Sequence, residues 1–243
     1  MTNQVVYDIV KSRLIPVDKY IYGFANLIGL LHEKFREYPC GISIGRKLDD
    51  TIMDGITDAP NPEYLRHYED VNRQTQAVAE SIACELNNTG IGAMVIKPTV
   101  LTGQNELDRY LPALRYDISH KMVATRAGLG WIGKTDLFIS VKFGARLRLI
   151  SILVKKEITP AYKTIDKSRC GKCMVCVEKC PAGAATGRLW DIYTDRDVFF
   201  DALKCREKCV EFGRTHLKVD RKLCGICVAV CPVGRNKKIQ GPL

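Results

Sequence analysis

The sequence predicts an α+β region over residues 1–160 followed by a small cysteine-dense domain over residues 161–243. Three observations carry this division. Nine of the eleven cysteines lie after residue 169. Upstream of them, a long stretch of helical period is set among short apolar runs of strand type. Between the two, residues 155–168 read as a polar linker containing Pro160.

The elements follow in order. Residues 14–60 mix apolar runs with turn residues, and Gly41-Ile-Ser-Ile-Gly45 reads as a short buried strand. Asn61-Pro62 starts a helix, with Asn61 as cap and Pro62 in the first helical position. Tyr64, Leu65, Tyr68, Val71, Val78, Ala79, Ile82 and Leu86 keep helical period until Asn87-Asn88-Thr89-Gly90 ends it. Residues 91–98 look like a strand. A second helix covers Ile118 to Ala127, capped by Asp117 and closed by Gly128. Residues 136–142 and 145–154 read as a β-hairpin around Phe143-Gly144.

The chain has 243 residues, 46% of them apolar, enough for a buried core. No run approaches the ~20 apolar residues that span a bilayer. The N-terminus lacks a basic segment followed by an apolar one, so the expectation is a cytoplasmic protein with no membrane partner. In a reducing compartment, an odd count of closely spaced cysteines points to metal rather than to disulfides.

Cys170-Gly-Lys-Cys173-Met-Val-Cys176-Val-Glu-Lys-Cys180-Pro181 has the C-x2-C-x2-C-x3-C-P spacing of bacterial ferredoxins. Three cysteines on a tight loop reach three irons of one [4Fe–4S] cubane, and the fourth turns away to the other cluster. A second copy, Cys224-Gly-Ile-Cys227-Val-Ala-Val-Cys231-Pro232, carries Arg221 where a further cysteine would stand. By the crossing rule, cluster one takes Cys170, Cys173, Cys176 and Cys231. Cluster two takes Cys180, Cys224, Cys227 and either Cys205 or Cys209. Paired C-x2-C motifs also suit structural zinc, which needs neither the long run nor its second copy. Cys40 and Cys84 read as core residues, not ligands.

The formal charge is +10. Eight thiolates and two oxidised cluster cores would bring it to about +6. Residues 204–243 hold ten Lys/Arg against three Asp/Glu, a skew that suits an acidic protein partner or nucleic acid as well as a solvated face.

Gly128-Leu-Gly130-Trp131-Ile-Gly133-Lys134-Thr135 fits both the dinucleotide fingerprint and the phosphate-binding P-loop. Both need a strand before and a helix after. Here the helix-like segment comes first and the strand-like segment second, so the glycines read instead as points of close backbone approach, against a bulky cofactor or packed elements.

The segment His120-Lys-Met-Val-Ala-Thr-Arg-Ala-Gly-Leu-Gly-Trp-Ile-Gly-Lys134, the hairpin, and the two cysteine runs with Cys205 between them resemble the epoxyqueuosine reductases and, more distantly, the reductive dehalogenases. The likeness covers roughly residues 110–234. It implies a nitroreductase-like, cobalamin-processing-like cofactor domain ahead of a ferredoxin-like domain with two [4Fe–4S] clusters. Electrons would pass through the clusters to cobalamin, with FMN as the alternative cofactor, and an acidic side chain would supply a proton. The family pattern also implies Cys205, rather than Cys209, as the outlying ligand. Asp117 matches the family's proton donor only if about three residues are deleted, and His120 and Tyr116 are alternatives. Only twelve residues follow Cys231, where the family's helical-repeat domain that helps hold tRNA would stand. The chain reads as a short form lacking it.

The candidate catalytic residues are therefore Asp117 and His120, three apart and on one face if both are helical. The candidate cofactor-binding residues are Lys121, Gly128, Gly130, Trp131, Gly133 and Lys134, with Trp131 either lining a pocket or packing. The leading function is an iron–sulfur reductase, fed by an electron-donor protein and acting on a small molecule or modified nucleoside, with tRNA a further partner. The competing functions are a ferredoxin-type carrier docking on a partner and an ATP-driven electron-delivery protein using residues 128–135.

Overall fold

The computed structural model describes residues 3–97 and 113–234. Pro98, at the end of the expected strand, lies outside them, as do Arg235, Lys237 and Lys238 of the basic stretch. The described residues form a mixed helix and sheet architecture in two compact units that interleave along the chain. Unit 1 comprises residues 1–46, 71–129 and 148–164; unit 2 comprises 47–70, 130–147 and 165–243. The last switch falls between Thr164 and Ile165, and residues 47–70 and 130–147 group with the cysteines.

Unit 1 is built on a four-stranded sheet in the order β1-β2-β6-β3. Its strands are β1 (Tyr20–Asn26), β2 (Cys40–Lys47), β3 (Ala93–Ile96) and β6 (Leu147–Val154). β1 and β2 are antiparallel with Phe24 opposite Ile42 and Tyr22 opposite Ile44. β3 and β6 are antiparallel with Val95 opposite Ile152. Alternation sends Phe24, Ile42, Ile44, Ile150, Ile152 and Val154 to one face. There they meet Val6, Ile9 and Val10 of α1 (Asn3–Arg13) and Ala79, Ile82 and Leu86 of α3 (Pro62–Asn88).

The long helix follows its sequence signals. The Asn61 side chain accepts from the Tyr64 backbone N–H at 2.8 Å, which caps the start. At the other end Ile91 N–H reaches the Leu86 carbonyl and Gly90 N–H the Asn87 carbonyl, the paired bonds of a Schellman closure. The opposite face of the β1–β2 pair carries small residues. A Cβ on Gly23 would stand 3.1 Å from the Ala127 carbonyl, and one on Gly41 would stand 2.8 Å from Val123, so the bare strand backbone lets α4 (His120–Arg126) lie close.

Unit 2 holds α2 (Asp50–Asp54), the two-stranded β4 (Gly130–Ile132) and β5 (Phe138–Ser140), and the short helices α5 (Val175–Glu178), α6 (Arg196–Phe199), α7 (Ala202–Phe212) and α8 (Ile226–Val230). A π-helical turn, Gly213–Leu217, follows α7. Trp131, Ile139, Trp190, Phe199 and Phe200 form its apolar centre, against which Cys170, Cys180 and Cys205 pack.

Three expectations are corrected. The hairpin of 136–142 with 145–154 does not form: β5 pairs with β4, Trp131 opposite Ile139, while β6 lies between β2 and β3. Only a single bridge, Ser140 to Gly144, turns the chain there. Both runs alternate correctly for strands, but alternation says which face is apolar and not which strand is the neighbour. The second helix starts at His120 and is capped by Ser119, whose hydroxyl accepts from Met122 N–H at 3.3 Å, so Asp117 is not its cap. Cys40 is buried on β2 as expected, but Cys84 is exposed on α3. No helix among the described residues is long and apolar enough to cross a membrane.

Candidate iron–sulfur centres and neighbouring residues

The cysteines fall into two neighbourhoods. Burial pushes the Cys231 thiol up to about 11, with Cys170 and Cys176 near enough to add to the shift. Cys176 is raised by burial first and then by Cys170, with Cys173 adding to it. These four residues are the set expected for cluster one.

Around the second group, Cys227 is half-buried, and its thiol is raised by burial first, then by Cys224, Cys205, Cys176 and Cys180. Ala184 N–H points at the Cys180 sulfur, 3.5 Å away. Cys205 and Cys209 stand one turn apart on α7, and Cys209 shares hydrogen bonds with both Cys205 and Cys224. Those contacts raise Cys209, and hydrogen bonding with Cys209 lowers Cys224 to about 7 and lowers Cys205 as well. Two thiols, not one, thus stand at the place the sequence left open.

This donor set fits two cubanes: nine thiols, none in a disulfide, four of which (Cys170, Cys180, Cys205 and Cys231) pack in or against one apolar centre. Among the described residues no group of three or more His, Cys, Asp or Glu is gathered tightly enough for a single metal ion.

The glycine motif does not have P-loop order, because α4 precedes it and β4 follows. Gly128 closes α4 with φ +71°; its N–H reaches the Thr125 carbonyl and Leu129 N–H the Ala124 carbonyl. A Cβ there would stand 2.5 Å from the Lys163 carbonyl oxygen, and one on Gly130 would stand 2.0 Å from that of Ile139. The side that each glycine leaves bare is filled by the chain itself. Trp131 is 2% exposed, and its indole N–H points at the Cys170 sulfur, 3.4 Å away. Lys134, 4% exposed, donates to the Cys173 carbonyl at 2.9 Å. These residues face the first cysteine loop.

Asp117 and His120 have separate partners. Asp117 is ion-paired with Lys34. The His120 Nδ1 lies 2.9 Å from the Ser151 hydroxyl, and the ring also bonds the Lys97 backbone. Burial pushes its pKa down to about 4, so the imidazole is neutral at pH 7, and its contact with Ser151 joins α4 to β6. Lys121 is half-buried on the first turn of α4. A depression of about 280 Å³ beside α1 is lined by Gln4, Tyr7, Asp8, Lys11 and Tyr22, none of them a sequence-nominated residue.

Sequence reasoning passed over one residue of unit 2. Arg146, 1% exposed, bonds Asp50 Oδ1 at 3.0 Å, Asp54 Oδ1 at 2.5 Å and the Ala229 carbonyl at 2.8 Å, tying α2 to α8. The i,i+4 pair of aspartates was its only signal. Thr135, the last residue of the glycine motif, hydrogen-bonds Cys176.

Comparison with known proteins agrees with this geometry. The family described as 4Fe-4S double cluster binding domain matches residues 169–234, so the chain carries a domain for two [4Fe–4S] clusters. The chain is similar to epoxyqueuosine reductases. That of Pseudomonas aeruginosa is 28% identical over 57% of this chain and 35% of its own length. That of Listeria monocytogenes is 35% identical over 49% of this chain and 31% of its own. The matched stretch is thus about a third of these relatives. Among solved structures, a catabolic reductive dehalogenase in complex with 3-bromo-4-hydroxybenzoic acid superposes with TM-score 0.66 at 16% identity, over 90% of this chain and 30% of that one. An epoxyqueuosine reductase from Streptococcus thermophilus superposes with TM-score 0.54 at 18% identity, over 99% and 67%.

Proposed function

We propose that the chain is an iron–sulfur reductase in which two [4Fe–4S] clusters relay single electrons from a donor protein to a second cofactor on unit 1, and that this cofactor is cobalamin. The observation that carries the reading is the extent of the fold likeness. It runs over 90–99% of the chain, far past the cluster-binding residues 169–234. A carrier needs only the cluster domain; here a sheet-and-helix unit of the reductase type accompanies it. One superposing reductive dehalogenase is described as acting by B12-dependent dehalogenation. We read unit 1 accordingly as a nitroreductase-like, cobalamin-processing-like domain.

The residues named from the sequence differ in how they fit. The eight cysteines Cys170, Cys173, Cys176, Cys180, Cys205, Cys224, Cys227 and Cys231 suit two cubanes, with Cys205 as the outlying ligand. Gly128, Gly130 and Gly133 are backed by protein and serve packing. The start of α4 is left to face the second cofactor: Lys121 to hold it, Asp117 to hold the proton that the substrate receives, and His120 to fix the helix. When bound, cobalamin supplies a cobalt that accepts single electrons and reduces the substrate. The substrate class we propose is a modified nucleoside, in RNA or free. An epoxyqueuosine reductase of this fold has been solved with a modified tRNA stem loop.

The test is equilibrium binding to anaerobically reconstituted protein. Hydroxocobalamin should saturate at one per chain, with FMN binding weakly or not at all. Saturation by FMN alone would replace the cofactor, and binding of neither would favour the electron carrier, for which the basic residues of 204–243 would be the docking face.

A further inference from the structure

The segment from Gly130 to Thr135 has the residue spacing of a nucleotide or cofactor motif, yet its polar groups converge on the first cysteine loop. Trp131 N–H points at the Cys170 sulfur at 3.4 Å. The Thr135 hydroxyl bonds Cys176. Gly133 carries no side chain where a Cβ would stand 3.5 Å from the Cys170 sulfur. The Lys134 ammonium donates to the Cys173 carbonyl at 2.9 Å and meets the Met174 sulfur at 3.2 Å.

Lys134 is the informative member. A buried ammonium is costly unless a negative charge lies near it. Among the described residues no carboxylate forms an ion pair with it. A carbonyl and a thioether are neutral. A cubane held by four thiolates carries −2 when oxidised and −3 after taking one electron, so the cluster itself would be the counter-charge. Bonds to ligand sulfurs and nearby positive charge stabilise the −3 state more than the −2 state, and these are recognised controls of cluster potential.

We propose that Trp131, Lys134 and Thr135 are positioning residues that raise the reduction potential of cluster one relative to cluster two, and so set the direction of electron flow between them. The step involved is the ordinary one-electron reduction of the cluster by the donor protein, with no bond broken. The inference rests on the two-cluster reading of unit 2.

The experiment is an EPR-monitored redox titration of the reconstituted full chain and its variants, with iron and sulfide counted for each. Lys134→Met should lower one of the two midpoint potentials, by about tenfold in the oxidised-to-reduced ratio at fixed potential, or about 59 mV for a one-electron couple. Trp131→Phe, which keeps the packing and removes the N–H, should lower the same midpoint by less. The other midpoint should not move, and Lys134→Arg should restore most of the loss. Unchanged midpoints, or both moving together, would overturn the proposal. If a variant loses a cluster, resonance Raman of the wild type decides: exchange into D2O should shift an Fe–S(Cys) stretch that is insensitive in Trp131→Phe or, if that variant is empty, in Thr135→Val. No deuterium shift in the wild type would also overturn it. A wild type that binds no iron would end the two-cluster reading itself.

Discussion

The two units of this chain are made differently. Unit 1 is held by apolar burial: Phe24, Ile42, Ile44, Ile82 and Leu86 are all 1% exposed or less, and the helices that cover them run to 11 and 27 residues. In unit 2, three of the helices after residue 165 have only four or five residues, too short to stand alone. Its nine gathered cysteines take the place of a larger core. Metal bound by gathered thiolates contributes folding free energy directly. The difference teaches where to look for metal-dependent stability: in the short-helix, cysteine-rich unit and not in the unit with the apolar sheet-and-helix core.

The largest effect should come from stripping the clusters. With iron removed by a chelator, hydrogen exchange should rise through residues 170–231 while β1, β2, β6 and α3 from Val71 onward stay protected. Equal loss in both units would break the contrast. Next, Cys205→Ser should lower iron from about eight to about four per chain, while Cys209→Ser should leave it near eight. The reverse result would assign the outlying ligand to Cys209.

The converse probe enters unit 1. Phe24→Ala, at a site 1% exposed, should cost about 3–5 kcal/mol in denaturant unfolding of unit 1. Iron content should hold at mild denaturant concentration, and iron loss in step with the core would contradict the separation. A smaller, pH-dependent effect belongs to His120. Its pKa falls from 6.5 in the unfolded chain to about 4 in the fold. On acidification the unfolded chain takes up the proton first. Stability is therefore full above about pH 6.5, falls as pH drops toward 4, and levels off below; the loss is about 3 kcal/mol. His120→Gln should flatten that slope in urea melts between pH 7 and 4.

Much of this contrast was legible in the residues themselves. The cysteine spacing carries its chemistry because a cubane demands cysteines at fixed intervals, and the Asn61 cap and Gly90 closure of α3 are local signals that act locally. Pairing was not legible. Residues 136–142 and 145–154 both look like strands, yet their partners come from elsewhere in the chain. The interleaving of units was hidden for the same reason, since residues 47–70 and 130–147 contain no cysteine to mark them. Cys84 misled because it sits beside Ala83 and Leu86 in the helical pattern, and one residue of rotation takes it from core to solvent. The candidate pair Asp117 and His120 failed as a shared helix face because Ser119, not Asp117, ends the coil. The role of Trp131 and Lys134 could not be read, because their contacts lie about 40 residues away along the chain.

The most direct test of the two-cluster account is metal and sulfide analysis of anaerobically purified protein, joined to EPR of the reduced state. The account predicts about eight irons and eight labile sulfides per chain, with two reduced clusters close enough for their spins to interact. About one tightly bound zinc per chain, with no labile sulfide, would contradict it.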